Sequence, residues 1–338
     1  MNVGLVGYGV AGRFFHAPAL LSAGLNVVAI CTRSLERRAQ AHQDFPNAIM
    51  LSSIEEILEE ELDLIVIAST NDVHAIHATA ALNRGIPTVV DKPVGLNYPE
   101  TLELFELAQS RNVPLVAFFN RIWDSDSLTI KKALREEVIG KPFRVESRYE
   151  RYRPEVNLSS WRETLSPEQG GGLLLDLQSH LISTALDLFG PATLVHASIQ
   201  EVRGASEDDV LLVLQHQSGV DSYLSVSSII GAPGPRIRVN GTKGSLVIKE
   251  LDRQETFLRT GFLPKAGEWL TPSEVTSEAR VHTGESSFNY PGLPGAYPDF
   301  YRQLTAALEV GSELPVSPDL ALNVAQIIDQ AREINIRK

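Results

Sequence analysis

The sequence predicts an α/β protein: a doubly wound parallel sheet at the N-terminus, then an α+β domain on an open, mainly antiparallel sheet. Three observations carry that expectation. Up to about residue 120, short apolar runs alternate with longer stretches of helical period, the pattern of buried parallel strands joined by crossover helices. After Trp123 the rhythm changes to alternating strands separated by short turns, which suits antiparallel pairing. The chain has 338 residues, and single cores stop growing at roughly 250–300. Two domains are therefore expected, residues 1–120 and 121–338, with the last helices free to pack back on the first domain.

The first five strands are read at Val3 to Val6, Val27 to Cys31, Leu64 to Ala68, Thr88 to Val90 and Leu115 to Phe119. Between them, helical period covers Leu35 to Asp44, Ile54 to Glu61, Ala75 to Arg84 and Pro99 to Arg111, the last with proline in a first turn that needs no amide partner. The run Glu59, Glu60, Glu61 reads as a solvated helix face. A helix from Ser127 to Val138 stops at Gly140, and the strand Phe143 to Tyr152 alternates apolar with charged residues. An apolar helix spans Leu173 to Phe189, with strands near 193–202, 208–216, 220–229, 235–240 and 244–249. Residues 251–295 show no usable period, which leaves them as a candidate for oligomer contacts; Tyr297 to Leu308 and Leu320 to Ile334 are helical again.

Composition narrows the function classes. With 43% hydrophobic and 21% charged residues the chain is globular. A formal net charge of −12 disfavours nucleic acid and anionic membranes as partners. No apolar run is long enough to span a bilayer, and Met1, Asn2 lead directly into a strand with no signal-type segment. The single cysteine, Cys31, forms no internal disulfide, so a cytoplasmic location is expected.

Gly7, Tyr8, Gly9, Val10, Ala11, Gly12 matches G-x-G-x-x-G between a strand and a helix. The first glycine permits the tight turn, the second lets backbone approach a pyrophosphate, and the third lets helix and strand pack closely. NAD-selective sites carry an acidic residue about 20 positions on; here that region reads Cys31, Thr32, Arg33, Ser34. With no carboxylate to repel a 2′-phosphate, Arg33 and the two hydroxyls favour NADP(H), with NAD(H) as the alternative. Arg33 as a plain solvated arginine is the competing reading.

Asp91, Lys92, Pro93 closes the strand from Thr88 and brings a lysine to the carboxyl edge, where open α/β sheets bind ligands. Its ammonium could polarise a carbonyl or stabilise an alkoxide, or could be an ordinary surface lysine. In the helix from Leu173, the residues Asp176, Ser179, His180, Ser183, Thr184 and Asp187 form one stripe. Asp176 and His180 lie one turn apart, as a general base and its carboxylate would, after the three glycines Gly170 to Gly172. A solvent-facing stripe is the alternative. His16 reads as packing first and cofactor contact second, with Pro18 expected to interrupt or kink its helix. Thr70, Asn71 and His74, after the strand from Leu64, are candidate cofactor contacts. Nothing in the spacing suggests a structural zinc or a serine hydrolase, and no metal is required.

Taken together, Gly7 to Gly12, Asp91 Lys92 Pro93, and Gly172 with Asp176 and His180 resemble the signatures of the glucose-fructose oxidoreductase, inositol dehydrogenase and MocA family, over nearly the whole chain. Gly12 to Pro18, Asn120 to Asp126, Arg151 to Val156 and Trp161 Arg162 Glu163 look like its NADP-dependent scyllo-inositol dehydrogenase branch. The resemblance implies a Rossmann domain for the nucleotide and a homo-oligomer, dimer or tetramer, joined through the second sheet. It implies Lys92, Asp176 and His180 as the catalytic set, and Asn120, Arg121, Trp123, Tyr152 and Arg162 as the lining of a polyol or sugar pocket. Phe119 and Ile122 stand where the branch has polar residues, Asp91 replaces its commoner glutamate, and Leu175 and Gln178 also depart from its pattern.

The expected reaction is hydride transfer between nicotinamide and a hydroxyl carbon of a polyol, cyclitol or sugar, with His180 exchanging the hydroxyl proton. Two rivals stay open: a non-catalytic NADP-binding regulator, and a reductase of a non-sugar carbonyl or imine, which loss of polar groups at Phe119 and Ile122 would suit.

Overall fold

The computed structural model describes residues 1–204 and 206–336; Arg337 and Lys338, the end of the predicted second domain, lie outside them. Six parallel strands form the first sheet: β1 (Asn2–Val6), β2 (Asn26–Cys31), β3 (Ile49–Leu51), β4 (Leu64–Ile67), β5 (Thr88–Asp91) and β6 (Leu115–Phe118). Their order, β3-β2-β1-β4-β5-β6, reverses direction at β1, so the carboxyl ends of β1 and β4 flank a crevice. All four residues of β4 are buried, as a strand covered on both faces requires.

β3 has no counterpart among the predicted strands, because three residues carry no periodicity of their own; it forms by pairing with β2. The helix expected over Ile54 to Glu61 stops at Ile57. Leu58 turns inward and is buried, so Glu59, Glu60 and Glu61 lie beyond the helix rather than along its face. Pro18 sits in the first turn of a helix, Ala17–Ser22, that follows a π-helical turn, Gly12–His16. The proline thus occupies a position where its missing amide costs nothing.

The second sheet has eight strands: β7 (Pro142–Glu150), β8 (Ala192–Gln200), β9 (Asp209–His216), β10 (Asp221–Ser227), β11 (Ile237–Gly241), β12 (Gly244–Ile248), β13 (Ala279–His282) and β14 (Ser287–Tyr290). Their order is β14-β13-β12-β11-β7-β10-β9-β8, antiparallel except where β7 meets β10. One face packs on the helix Ser179–Phe189, and alternate residues of β9 and β10 are buried there. The unread segment 251–295 supplies β13 and β14 and two short helices, Gln254–Leu258 and Pro272–Val275.

The C-terminal helices, Pro298–Val310 and Pro318–Ile336, tie the two sheets together. Phe300 and Tyr301 are fully buried against Phe118 at the end of β6. Asp329 accepts the amide of Tyr98 at 2.8 Å, and Arg332 donates to the carbonyl of Leu96. Burying each large apolar side chain stabilises by about 1.5–3 kcal/mol, so this seam holds the first domain against the second and sets the width of the crevice between them.

Candidate active site

A cleft of about 710 Å³ lies where the carboxyl ends of the parallel strands meet the second sheet, and Val10, Ala11, Lys92, Asn120, Asp176 and His180 all border it. Its floor is the glycine turn. Gly7 has φ +98°, and a Cβ there would come within 2.3 Å of the Ala68 carbonyl oxygen; one on Gly12 would come within 2.0 Å of the Gly7 carbonyl oxygen. The backbone is thus packed as a pyrophosphate turn requires, and the helix beginning at Gly12 presents its amides at the cleft. Tyr8 differs from expectation: its ring is buried, and its hydroxyl donates to Asp44 at 2.8 Å, a carboxylate that Arg13 also holds at 2.9 Å. Only the backbone of Tyr8 remains available to a ligand.

After β2, Thr32 is buried and Arg33 is exposed, while the Ser34 hydroxyl caps the helix Leu35–Asp44 by accepting the Arg37 amide at 3.4 Å. Arg37 escaped the sequence reading. Its guanidinium lies beside the turn, 3.4 Å from where a Cβ of Gly9 would sit. The signal was available in Arg37 itself, a guanidinium in the first turn of the helix that follows β2.

Thr70 is exposed, and Asn71 donates to the carbonyl of Gly170 at 3.3 Å, bridging the two domains at the cleft edge. His74 is not brought to the cleft. It is 1% exposed, with Nδ1 2.7 Å from the Pro93 carbonyl oxygen and Nε2 3.2 Å from that of Ser69. It braces the ends of β4 and β5 instead of offering a free nitrogen to a cofactor. His16 packs, as read first: it is fully buried, stacks near Phe118, and its Nδ1 lies 2.5 Å from the Tyr301 hydroxyl. Burial pushes its pKa down to about 4.

Lys92, Asp176 and His180 converge. The peptide bond between Lys92 and Pro93 is cis, and the lysine Nζ donates to both the Oδ1 of Asp176, at 2.8 Å, and its backbone carbonyl, at 2.6 Å. Asp176 lies in a π-helical turn, Leu174–Gln178, rather than in the continuous α-helix expected from Leu173. The wider turn shifts the register of the backbone hydrogen bonds, a feature that recurs at functional sites. Burial would raise the Asp176 carboxyl, but Lys92 and Arg162 outweigh it and hold the group ionised, well below the usual carboxylate range.

His180 is 7% exposed. Burial, reinforced by the charges of Lys92 and Arg121, drives its pKa well below the usual histidine value, so the ring is neutral near pH 7. Its Nδ1 is buried without a partner, which leaves Nε2 as the nitrogen with access to the cleft. The rest of the stripe faces inward: Ser179, Ser183 and Thr184 are buried, Ser179 donating to Leu175 and Ser183 to His180 through their carbonyls. The solvated-face reading therefore fails for this helix.

The expected pocket residues divide. Asn120, Arg121 and Arg162 border the cleft, with Arg162 Nε 3.4 Å from Asp176 Oδ1. Arg121 is engaged by Asp124, Glu255 and the Tyr297 hydroxyl, so its orientation is set from behind. Trp123 is buried edge-on against Phe300 and does not reach the cleft. Tyr152 is 61% exposed on the opposite side of its extended segment, and its neighbours Arg151 and Arg153 face the cleft instead. The resemblance placed Tyr152 in the pocket, but period-2 alternation puts it on the face opposite its two neighbours. Asp252 and Glu255, from the unread segment, also border the cleft; Asp252 accepts the amide of Ser125 at 2.7 Å. Phe119 and Ile122 are each 2% exposed and lie in the core, so they take no polar group from the cleft.

A glycine turn on a parallel sheet, faced across a cleft by a lysine, a carboxylate and a neutral histidine, is the layout of a nucleotide-dependent oxidoreductase. The sequence bears this out at the level of family. Residues 1–119 match the oxidoreductase family's NAD-binding Rossmann fold, and residues 131–334 match its C-terminal alpha/beta domain. The chain belongs to the Gfo/Idh/MocA family of oxidoreductases. Among its relatives, the uncharacterized oxidoreductase YdgJ of Escherichia coli is 34% identical, over 97% of this chain and 94% of that one. The scyllo-inositol 2-dehydrogenase (NADP(+)) IolW of Bacillus subtilis is 31% identical, over 100% of this chain and 94% of its own length. A solved structure of the B. subtilis oxidoreductase yvaA superposes with a TM-score of 0.87 at 30% identity, covering 100% of this chain and 98% of that one. Among the described residues, no helix is long and apolar enough to cross a membrane.

Proposed function

We propose that this oxidoreductase is an NADP-preferring dehydrogenase of polyols, cyclitols or sugars, with Lys92, Asp176 and His180 as its catalytic set. The observation that carries the proposal is the Lys92 ammonium bound to Asp176 beside a neutral His180, at the mouth of the glycine turn. The packed glycines fit a dinucleotide: the turn from Gly7 to Gly12 would hold its pyrophosphate, and Arg33 with Arg37 and Thr32 its 2′-phosphate. When bound, the nicotinamide supplies or accepts the hydride.

The side chains of this chain do the rest. His180 accepts the hydroxyl proton at Nε2 during oxidation and returns it during reduction. Its depressed pKa keeps it ready as a base, and the acid limb of the oxidation rate falls below the ordinary histidine range. Lys92, oriented by Asp176, stabilises negative charge that develops on the substrate oxygen. Asn120 and Arg162 offer hydrogen bonds to further hydroxyls. The named activity of IolW on scyllo-inositol with NADP(+) supports both substrate class and cofactor. The burial of Phe119 and Ile122 removes the argument for a non-sugar substrate.

The test follows NADPH absorbance with purified protein against inositols, aldoses, ketoses and 2-oxo compounds. Turnover of a polyhydroxylated substrate is the expected result. Activity confined to non-sugar compounds, or none while NADPH still binds, would overturn the substrate class or the enzyme reading respectively. A dissociation constant for NAD as low as that for NADP would overturn the cofactor preference.

A further inference from the structure

The charge of the cleft runs against the charge of the chain. The whole sequence carries −12, yet among the described residues eleven basic and eight acidic side chains line the cleft. Two of those acids, Glu207 and Asp252, have pKa values raised by burial to about 7 and about 6, which lowers the negative charge further.

The excess is concentrated beside the catalytic set. Most cleft arginines are paired: Arg203 with Glu163 and Asp208, Arg236 with Asp126, Arg121 with Asp124 and Glu255. Asp176 is shared by Lys92 and Arg162, leaving one cation over. Among the described residues, Arg151 and Arg153 have no ion-pair partner, and Arg151 Nε is buried with no hydrogen-bond partner. Their backbones are held by Ser227 and Ser228, so the two guanidiniums, one residue apart on an extended segment, are carried on the same side by rigid structure. Burial and the neighbouring Arg153 lower the Arg151 pKa more than Asp176 and Glu163, which form no ion pair with it, raise it. A half-buried arginine whose Nε has no partner is costly, and a planar fork of this kind matches a carboxylate or phosphate.

We infer that the substrate is an anionic polyol, a sugar acid or sugar phosphate whose oxyanion is received by Arg151 and Arg153 while a hydroxyl at another carbon faces His180. This rests on the dehydrogenase reading and narrows its substrate class. Neutral polyols leave the two arginines unpaired; an oxyanion completes them.

The experiment is calorimetric titration of the NADP+-saturated protein at low ionic strength with matched sets. Glucitol, mannitol and galactitol are each compared with their terminal carboxylates and terminal monophosphates, and turnover is measured alongside. In at least one set, an anionic member is expected to bind about tenfold or more tighter than its neutral parent, the range of a charged hydrogen bond. Whether carboxylate or phosphate wins identifies the anion. Arg151→Gln and Arg153→Gln should each collapse the ratio of anionic to neutral affinity; Arg153 is exposed, so its variant keeps the fold. Equal or tighter binding of the neutral member in every set, or a ratio that survives in both variants, overturns the inference. Tight anion binding with no turnover would uphold the anion site and defeat the dehydrogenase reading, whereas turnover of polyols with no anion preference would do the reverse.

Discussion

Two glycine-led helix entrances face this cleft, and they end up with opposite contents. At one, Gly7 to Gly12 leads into the π-turn Gly12–His16; at the other, Gly170 to Gly172 leads into the π-turn Leu174–Gln178. The first is bordered by Val10 and Ala11 and presents its amides to the cleft. The second is filled by the protein itself. Gly172, at φ +86°, leaves room for the Glu207 side chain, whose Oε2 lies 2.4 Å from where a Cβ would be. The Glu207 backbone carbonyl accepts the Leu173 amide at 2.9 Å. A helix N-terminus attracts an anion in both cases. At the first entrance that place is open to a ligand's phosphate; at the second it is taken by a carboxyl whose pKa burial raises to about 7.

The largest effect that sharpens this contrast concerns the helix begun at the second entrance. His180→Ala should lower turnover by about 10²- to 10⁴-fold while NADPH affinity, set at the first entrance, is retained; unchanged steady-state turnover would remove His180 from the mechanism. Next, Gly12→Val drives a side chain into the Gly7 carbonyl and should weaken NADPH binding by about a hundredfold, or about 3 kcal/mol. Gly172→Ala strains a left-handed backbone and displaces Glu207, both away from the first entrance, so fluorescence titration of the folded variant should find its NADPH affinity close to that of the parent.

The third prediction concerns stability. Burial lifts the Glu207 pKa from 4.5 to about 7, with Glu201 and Glu168 adding to it and Arg332 opposing. The folded protein then holds more protons than the unfolded chain between those values, so this group costs stability as pH rises through that window. Glu207→Gln should therefore raise stability at pH 8, by at most about 3 kcal/mol at 1.36 kcal/mol per pKa unit, and change little near pH 4. Urea denaturation at the two pH values reads this directly, and equal shifts at both would show that the carboxyl has the same pKa in the folded and the unfolded chain. His16 has the opposite slope: its pKa falls from 6.5 to about 4, so it costs stability as pH drops through that range.

The smallest effect is at the far end of the nucleotide. Arg33→Ala should cut the preference for NADP over NAD by about tenfold, one charged hydrogen bond's worth. A ratio unmoved in Arg33→Ala and lost in Arg37→Ala would transfer the role to Arg37, which the sequence reading passed over.

Legibility in the sequence followed the range of the interactions involved. β4 could be read because Leu64, Ile65, Val66 and Ile67 form an unbroken apolar run, and the glycine turn because the spacing of three glycines after a strand is itself a local pattern, although Gly7 packs on distant Ala68. Tyr152, expected in the pocket from the resemblance, turns away because its neighbours Arg151 and Arg153 are the ones that face the cleft. His74 and Trp123 were misjudged because sequence neighbours do not reveal that Pro93 and Phe300 would enclose them.

By itself, the sequence determined the class of each layer and the nucleotide turn, since these rest on local period and on the local spacing of three glycines. Tertiary structure alone decided that Lys92 meets Asp176 across 84 positions of chain, and that Glu207 rather than a ligand closes the second glycine entrance. It also decided that, among the described residues, Arg151 and Arg153 form no ion pair and Arg151 Nε is buried without a partner. The physical reason is common to all three: the state of a charge depends on what is packed beside it, and those neighbours come from distant parts of the chain.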